Sequence, residues 1–171
     1  MAGRARGERG HAPAAAKKAA DDEIKVLVRN KRARHEYFVA ETIEAGIELR
    51  GSEVKSLRDA RASISDAYAI PRDRELYLLQ MQIEEYPFAG HFQHPPKRER
   101  RLLLHRRQIA ELGAAVKEKG YTLLPLDLHL RRGRVKVLLG LCKGKQLHDK
   151  RQVERERTAR REVERALGRR R

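Results

Sequence analysis

The strongest constraint on the fold lies in residues 121–141, where apolar and polar residues alternate on either side of a short turn. A β-strand places successive side chains on opposite faces, so this period of two indicates strands with one buried face. Arg131-Arg132-Gly133 separates the two runs and supplies the turn of an antiparallel hairpin. We assign Leu124, Leu126, Leu128, Leu130, Val135, Val137, Leu139 and Leu141 to the buried face, and His129, Arg134 and Lys136 to the outer face.

Shorter runs of the same kind predict further strands. Residues 35–44, 64–70 and 75–83 alternate, with a turn at 71–74 between the last two. Apolar spacing predicts one helix over Glu53–Ala60, capped by Ser52, and a second that contains Ile109 and ends at Gly120. These are hairpin sequences and not strand–helix–strand units, so the fold class is expected to be mainly β and antiparallel.

The two ends of the chain differ from the segment between them. Residues 1–22 combine Gly, Ala, Pro and charge without an apolar period, which predicts a disordered extension. Residues 149–171 are strongly basic and lack an apolar stripe that a core would bury, so we expect a tail that becomes helical against RNA. The core-forming domain is therefore placed at residues 23–148.

The charge balance points to a polyanionic partner. Forty Lys and Arg residues against 24 Asp and Glu residues give a formal net charge of +16. Neutralising phosphates releases condensed counterions, which favours nucleic acid. No apolar run approaches the roughly 20 residues that a membrane-spanning helix needs, and no signal peptide opens the sequence. The single cysteine, Cys142, excludes an internal disulfide, lies in an apolar strand pattern typical of a core and favours a cytoplasmic setting.

Motifs of catalysis are sparse in this sequence. His91-x-x-His94 is a possible metal pair, but cysteine or carboxylate partners at zinc-ligand spacing do not accompany it. The sequence contains no P-loop, no GxGxxG motif and no GxSxG nucleophile elbow. We therefore expect no catalytic residues, no metal site and no cofactor.

Basic residues concentrate in two places before the tail. Lys97–Arg107 (KRERRLLLHRR) is interpreted as a basic loop that leads into a packed helix, with Leu102–Leu104 as its anchor. Gly140–Arg151 (GLCKGKQLHDKR) carries Lys143 and Lys145 where the hairpin ends and the tail begins. Lys55 and Arg58 share one flank of the first predicted helix, since they lie three residues apart.

An ordered set of motifs resembles the SmpB (small protein B) family, the bacterial partners of transfer-messenger RNA (tmRNA, also SsrA RNA). The motifs are NKRARHEYF at 30–38, EAG at 44–46, LRGSEVKSLR at 49–58, ISDAYA at 64–69, RERRLLLHRRQI at 98–109 and GYTLLPLDLHLRRGRVKVLLGLCKGKQLHDKR at 120–151. The resemblance implies an OB-fold-like antiparallel β-barrel with about three accessory helices and a disordered basic C-terminal tail.

The same resemblance implies an RNA-binding adaptor of trans-translation. Members bind the tRNA-like domain of tmRNA and deliver it to stalled ribosomes, where the tail reaches the small-subunit decoding centre, its rRNA and the empty message channel. It further implies a monomer that acts with elongation factor Tu on alanyl-tmRNA, in the cytoplasm and without a membrane.

Matching positions and charge together give a predicted RNA surface and a ribosome-facing segment. Gln146 stands where the family often has a basic residue. Glu44 is expected to accept hydrogen bonds from base or ribose donors or to orient a neighbouring cation. The predicted RNA-binding residues are Asn30, Arg32, Arg34, Glu44, Lys55, Arg58, Arg98, Arg100, Arg101, Leu103, Lys136, Lys143 and Lys145, and the predicted ribosome-facing residues are His148, Asp149, Lys150 and Arg151.

Two other functions are compatible with the residues alone. A general single-stranded RNA-binding or ribosomal protein would use a basic barrel face and show little preference among RNAs of equal length and charge. A metal-dependent nuclease would use His91, His94 and nearby acids, and its activity would disappear with a chelator.

Overall fold

Nine strands and three helices form the regular structure of residues 24–90 and 93–146, the part of the chain that the computed structural model describes. The predicted N-terminal extension and basic tail lie outside these residues. The helices are α1 (Lys31–Glu36), α2 (Gly51–Arg58) and α3 (Arg106–Lys119). The strands are β1 (Lys25–Arg29), β2 (Tyr37–Ile47), β3 (Ala62–Ser63), β4 (Tyr68–Arg72), β5 (Glu75–Leu79), β6 (Gln82–Ile83), β7 (Arg100–Leu103), β8 (Thr122–Arg131) and β9 (Arg134–Gly144).

Six strands form a closed antiparallel ring in the order β8-β4-β5-β7-β2-β9, and the long β8–β9 pairing completes it. Strand β1 pairs with a separate stretch of β8, and β3 and β6 form a small sheet of their own. Closure satisfies backbone groups that an open sheet would leave at its edges. The predicted OB-fold-like antiparallel barrel with about three accessory helices is confirmed for the described part of the chain.

The β8–β9 hairpin is confirmed, but its assignment to one buried face is wrong. Arg132 and Gly133 form the two-residue turn, with positive φ angles of 52° and 71° that suit the twist of the strands. An irregularity between Pro125 and Asp127 leaves Leu126 without a cross-strand partner and so reverses the alternation. Leu126 consequently packs outside the main core, in a second cluster with Ala33, Leu124 and Cys142.

Several element boundaries differ from the sequence predictions. Helix α1 and strand β7 were not predicted, because six and four residues are too short to show a period. Helix α2 begins at Gly51, and the Glu53 side chain accepts from the Arg50 backbone amide, so the prediction of a Ser52 cap is wrong. Helix α3 ends as predicted at Gly120, which adopts a left-handed conformation (φ 64°).

The main core fills the ring and is covered by two helices. Leu76, Leu78, Leu128 and Leu139 are fully buried inside it, while α2 contributes Leu57 and α3 contributes Leu112. Strand β4 turns Ala69 inward, whereas Tyr68 is 37% exposed. None of the helices in residues 24–90 and 93–146 has the length and apolar character that crossing a bilayer demands.

Candidate RNA interface

Three of the predicted RNA-binding residues converge on the outer face of the barrel. Ala45 and Ile47 of β2 point into the core, so Glu44 and Gly46 face outward. Gly46 pairs with Leu103 of β7 on one side and with Lys136 of β9 on the other. Lys136 in turn pairs with His129 of β8. The fold thereby brings residues from four strands into one row.

Glu44 lies at the centre of this surface, and its carboxylate contacts three basic side chains. It lies 3.1 Å from Nε2 of His129, 3.2 Å from Nη1 of Arg131 and 3.5 Å from Nζ of Lys136. Partial burial works to raise the pKa of Glu44, but the hydrogen bonds from His129 and Arg131 and the charges of Arg131 and Lys136 hold it below its ordinary value. We call these four residues the Glu44 cluster.

His129 connects the Glu44 cluster to a second carboxylate. Its Nδ1 lies 2.8 Å from Oδ1 of Asp127, while Nε2 faces Glu44. His129 lies on the outer face of the barrel, as predicted, but its ring is buried and not exposed. Contacts at both ring nitrogens hold the imidazole in one orientation. His129 therefore fixes the orientation of Glu44 from beneath the surface.

Leu103 supplies the apolar part of the same surface. It is 50% exposed although it belongs to a strand of the barrel. A Cβ atom at position 46 would lie 3.1 Å from Cβ of Leu103, so glycine allows the close approach of the two strands here. Gly46, Leu103 and Lys136 also line a shallow cleft of about 440 Å³. An apolar side chain beside oriented charges is a surface on which RNA can rest a base or ribose.

A second basic group lies where β9 ends. Lys143 is exposed and pairs with Phe38 of β2. Nζ of Lys145 donates to the carbonyl oxygens of Arg34 and His35 at the end of α1, and lies 5.1 Å from the centre of the Phe38 ring. The Lys145 ammonium therefore neutralises the carbonyl end of α1.

Asn30 and Arg32, both predicted to bind RNA, have structural partners. Asn30 is 1% exposed; its Oδ1 accepts from the Ala33 amide at 2.9 Å and its Nδ2 donates to the Ile64 carbonyl at 2.8 Å. It caps α1 and ties that helix to the loop before β4, so the prediction of an RNA contact does not fit its position. Arg32 is exposed and pairs with Glu36 and Asp66.

Arg100 is fully buried, which contradicts its prediction as an RNA-binding cation. Its guanidinium pairs with Glu53 at 2.9 Å and donates to the carbonyls of Met81, Pro96 and Arg98. Arg98, mostly buried, pairs with the other carboxylate oxygen of Glu53 at 2.6 Å. Burial works to raise the pKa of Glu53, but the hydrogen bonds from Arg98 and the Arg50 amide, with both arginine charges, lower it.

The remaining predicted cations are on the surface. Arg101 points away from Arg100 and pairs with Glu48 and Glu75. Lys55 and Arg58 are exposed on α2, with the Lys55 Nζ 5.3 Å from the centre of the Tyr86 ring. Arg34 lies at the exposed side of α1, 4.0 Å from Asp127. The predicted ribosome-facing residues His148, Asp149, Lys150 and Arg151 lie outside the described residues.

The next residues are the possible metal pair, His91 and His94, and the predicted core residue, Cys142. His94 is buried, with Nδ1 3.0 Å from Oγ of Ser52, while His91 lies outside the described residues. Within residues 24–90 and 93–146, no three or more His, Cys, Asp or Glu side chains gather as metal ligands would. Cys142 is confirmed as a core residue, and its burial raises the pKa of the thiol.

Comparison with known proteins agrees with this arrangement. The family model described as SmpB protein matches residues 27–169. This chain belongs to the SmpB family. The match contains the entire ring of strands, the Glu44 cluster and the predicted basic tail.

Relatives of this family resemble the chain over nearly their whole length. An SsrA-binding protein of Myxococcus xanthus (strain DK1622) is 50% identical over 147 residues, covering 86% of this chain and 91% of the relative. The SsrA-binding protein of Halalkalibacterium halodurans is 47% identical, covering 86% and 96%. A solved chain described as "tmRNA-SmpB: a journey to the center of the bacterial ribosome" has a TM-score of 0.60 and 44% identity, covering 70% of this chain and 85% of that one.

Sequence reasoning missed His129, Arg131 and Glu53 as members of these sites. Glu44 is separated from His129 by 85 residues and Glu53 from Arg100 by 47. Contacts over such separations leave no local pattern. The one signal present was an acidic residue, Glu53, within the short predicted helix.

Proposed function

We propose that this protein is the RNA-binding adaptor of trans-translation, which binds the tRNA-like domain of tmRNA and brings it to stalled ribosomes. The similarity to SsrA-binding proteins over 86% of the chain carries this proposal. A second observation supports it: Glu44, Leu103 and Lys136 were each predicted to bind RNA, and the fold brings them from three different strands onto one outer face of the barrel. The protein acts as an adaptor, with no reaction of its own.

The barrel and the tail have separate parts in this proposal. The Glu44 cluster and Leu103 recognise the folded RNA, while residues 149–171 become helical in the decoding centre and the empty message channel. His148, Asp149, Lys150 and Arg151 face rRNA there, with phosphates neutralising the two cations. A monomer acts in the cytoplasm, and elongation factor Tu accompanies the alanyl-tmRNA.

The first experiment measures affinity for the tRNA-like domain of tmRNA, for tRNA of equal length and for unstructured RNA, at moderate and at raised salt. A preference for the tRNA-like domain that persists at raised salt is expected, because shaped contacts are screened less than phosphate contacts. Equal affinities that fall together with salt would instead support a general RNA-binding protein that uses only its net charge of +16.

Glu44→Gln distinguishes specific recognition by Glu44 from attraction by net charge, because the two explanations predict opposite changes in RNA affinity. The substitution makes the protein more positive, so attraction to phosphates alone would raise the affinity for every RNA. If Glu44 accepts a hydrogen bond from RNA or orients Lys136, the preference for the tRNA-like domain falls. Glu118→Gln on α3 is the matched control, since it removes the same charge from an exposed helix position. Leu103→Ala tests the apolar part of the surface in the same assay.

A further inference from the structure

A second candidate site lies between α2 and the segment that follows β6, away from the Glu44 cluster. Arg50, Ser52, Lys55, Tyr86, Phe88 and Gln93 are among the residues that line a cleft of about 700 Å³ there. We propose that this cleft, here called the stacking cleft, binds one unpaired nucleotide of RNA, with its base on the ring of Phe88 and its phosphate towards Arg50 and Lys55. The proposal deepens the proposed function, since it assigns a further RNA subsite.

Phe88 is the observation from which this inference starts. It is 85% exposed, the highest value among the large apolar side chains of the described residues. Tyr86 contacts it edge to face, with ring centres 5.7 Å apart and planes at 67°. The Tyr86 ring also holds the Lys55 ammonium at 5.3 Å from its centre. The open ring of Phe88 thus lies against a second aromatic ring that itself contacts a cation. Proteins that bind single-stranded nucleic acid combine aromatic rings and cations in this way.

The segment that presents Phe88 is fixed in place. The Tyr86 carbonyl accepts from the Ala89 amide at 3.0 Å, which closes a turn around Pro87 and Phe88. The same carbonyl accepts from Nε2 of Gln93 at 2.6 Å. Proline restricts the backbone further. A backbone held in this way loses less conformational freedom when a base stacks on the ring, which lowers the entropic cost of binding.

The polar lining suits a nucleotide and not an apolar ligand. Arg50 and Lys55 are cations, and none of the residues that line the stacking cleft is acidic. Oε1 of Gln93 is buried and has no hydrogen-bond partner among the described residues. A buried acceptor without a donor is unfavourable. An amino or imino group on the edge of a base would supply that donor, while the cations receive the phosphate.

The test uses the absence of tryptophan from the sequence. Phe88→Trp places the only indole of the full-length protein in the stacking cleft, and a base that stacks on it quenches its fluorescence. A short oligoadenylate strand is the probe, and a fully paired RNA hairpin is its control. We expect saturable quenching by the single strand and little by the hairpin. Tyr68→Trp, at an exposed ring on β4 outside the cleft, should show no comparable quenching.

Affinity measurements with the same strand provide the second arm. Stacking on an aromatic ring contributes a roughly 5- to 150-fold gain in affinity per base, so Phe88→Ala should weaken oligoadenylate binding within that range. Phe88→Leu keeps an apolar side chain without a π face and should weaken it as Phe88→Ala does, while Phe88→Trp should retain it. Thermal unfolding should be unchanged in all three variants, because the side chain is exposed.

Two results would overturn the inference. One is unquenched Phe88→Trp fluorescence at saturating oligoadenylate; the other is equal oligoadenylate affinity of wild type, Phe88→Ala and Phe88→Leu. Either result leaves a wild-type preference for the tRNA-like domain intact, so the proposed function survives it. If wild type shows no preference for the tRNA-like domain but Phe88→Trp is strongly quenched, the stacking cleft is retained and tmRNA is rejected as the specific partner.

Discussion

Arg100 and Arg101 are neighbours on β7 and offer an internal comparison of buried and exposed ion pairs. Both guanidinium groups contact carboxylates at 2.8–2.9 Å, Arg100 with Glu53 and Arg101 with Glu48 and Glu75. The Arg100 side chain is fully buried, whereas that of Arg101 is 44% exposed. We predict that Arg100→Met destabilises the fold severely and that Arg101→Met, the matched control, changes stability little.

The magnitude follows from what Arg100→Met leaves behind. Glu53 would keep only Arg98 as a charged partner, and the Met81 and Pro96 carbonyls would each lose a donor. Removing one partner of a buried ion pair typically costs about 3–5 kcal/mol, because the other charge remains buried. For a domain of about 120 residues, each kcal/mol lowers the melting temperature by roughly 4 °C, so we expect a decrease of about 12–20 °C. Water already solvates much of Arg101, so its two ion pairs contribute little.

Urea and thermal unfolding, followed by circular dichroism on the full-length variants, measure both changes. The difference between the two variants is the quantity of interest, since both lose one positive charge and gain the same side chain. Equal decreases in unfolding free energy for Arg100→Met and Arg101→Met would refute the reasoning that burial decides the contribution of these ion pairs. If Arg100→Met does not fold, Arg100→Lys, which keeps the charge but not the fork of donors, should show an intermediate loss.

Three further predictions concern acid stability, a helix cap and the tail. Because the pKa of Glu53 is lower in the folded state than its ordinary value of 4.5, its stabilising effect is complete above that pH and is lost as the pH falls through the folded pKa; wild type should therefore lose unfolding free energy below about pH 4.5 more steeply than Glu53→Gln in urea titrations. Asn30→Ala removes a cap and one of the two donors to the Ile64 carbonyl, which keeps only the Ala67 amide at 3.3 Å, so calorimetry should show a loss of about 1–3 kcal/mol. RNA affinity of the folded protein should be unchanged; a selective loss of RNA affinity would restore Asn30 to the RNA surface. Truncation after His148 should preserve binding to the tRNA-like domain but abolish tagging of stalled chains, and lost RNA binding would move recognition to the tail.

The parts of the fold that the sequence predicted are those whose signals are local. The sequences of the β8–β9 hairpin and of α3 each repeat a period over ten or more residues; the hairpin turns at Gly133, and α3 ends at Gly120. Strand β7 was read as a basic loop because its first residue, Arg100, is charged. That arginine is buried only because Glu53, on a helix 47 residues earlier, neutralises it. Leu126 shows the same limit, since one extra residue reverses a regular alternation.

The distribution of cations bears on how such a basic protein distinguishes one RNA from another. Of the cations predicted to meet RNA, Arg98 and Arg100 are committed to Glu53 inside the fold, and Arg101 shares its charge between two carboxylates. Lys136 is different, because it reaches the surface beside a carboxylate that His129 and Arg131 also hold. A freely rotating lysine attracts any phosphate, whereas a lysine oriented by Glu44 favours a phosphate in one position. Under the proposed function, the excess of positive charge would bring RNA to the barrel, and the acidic residue within the Glu44 cluster would make the contact selective.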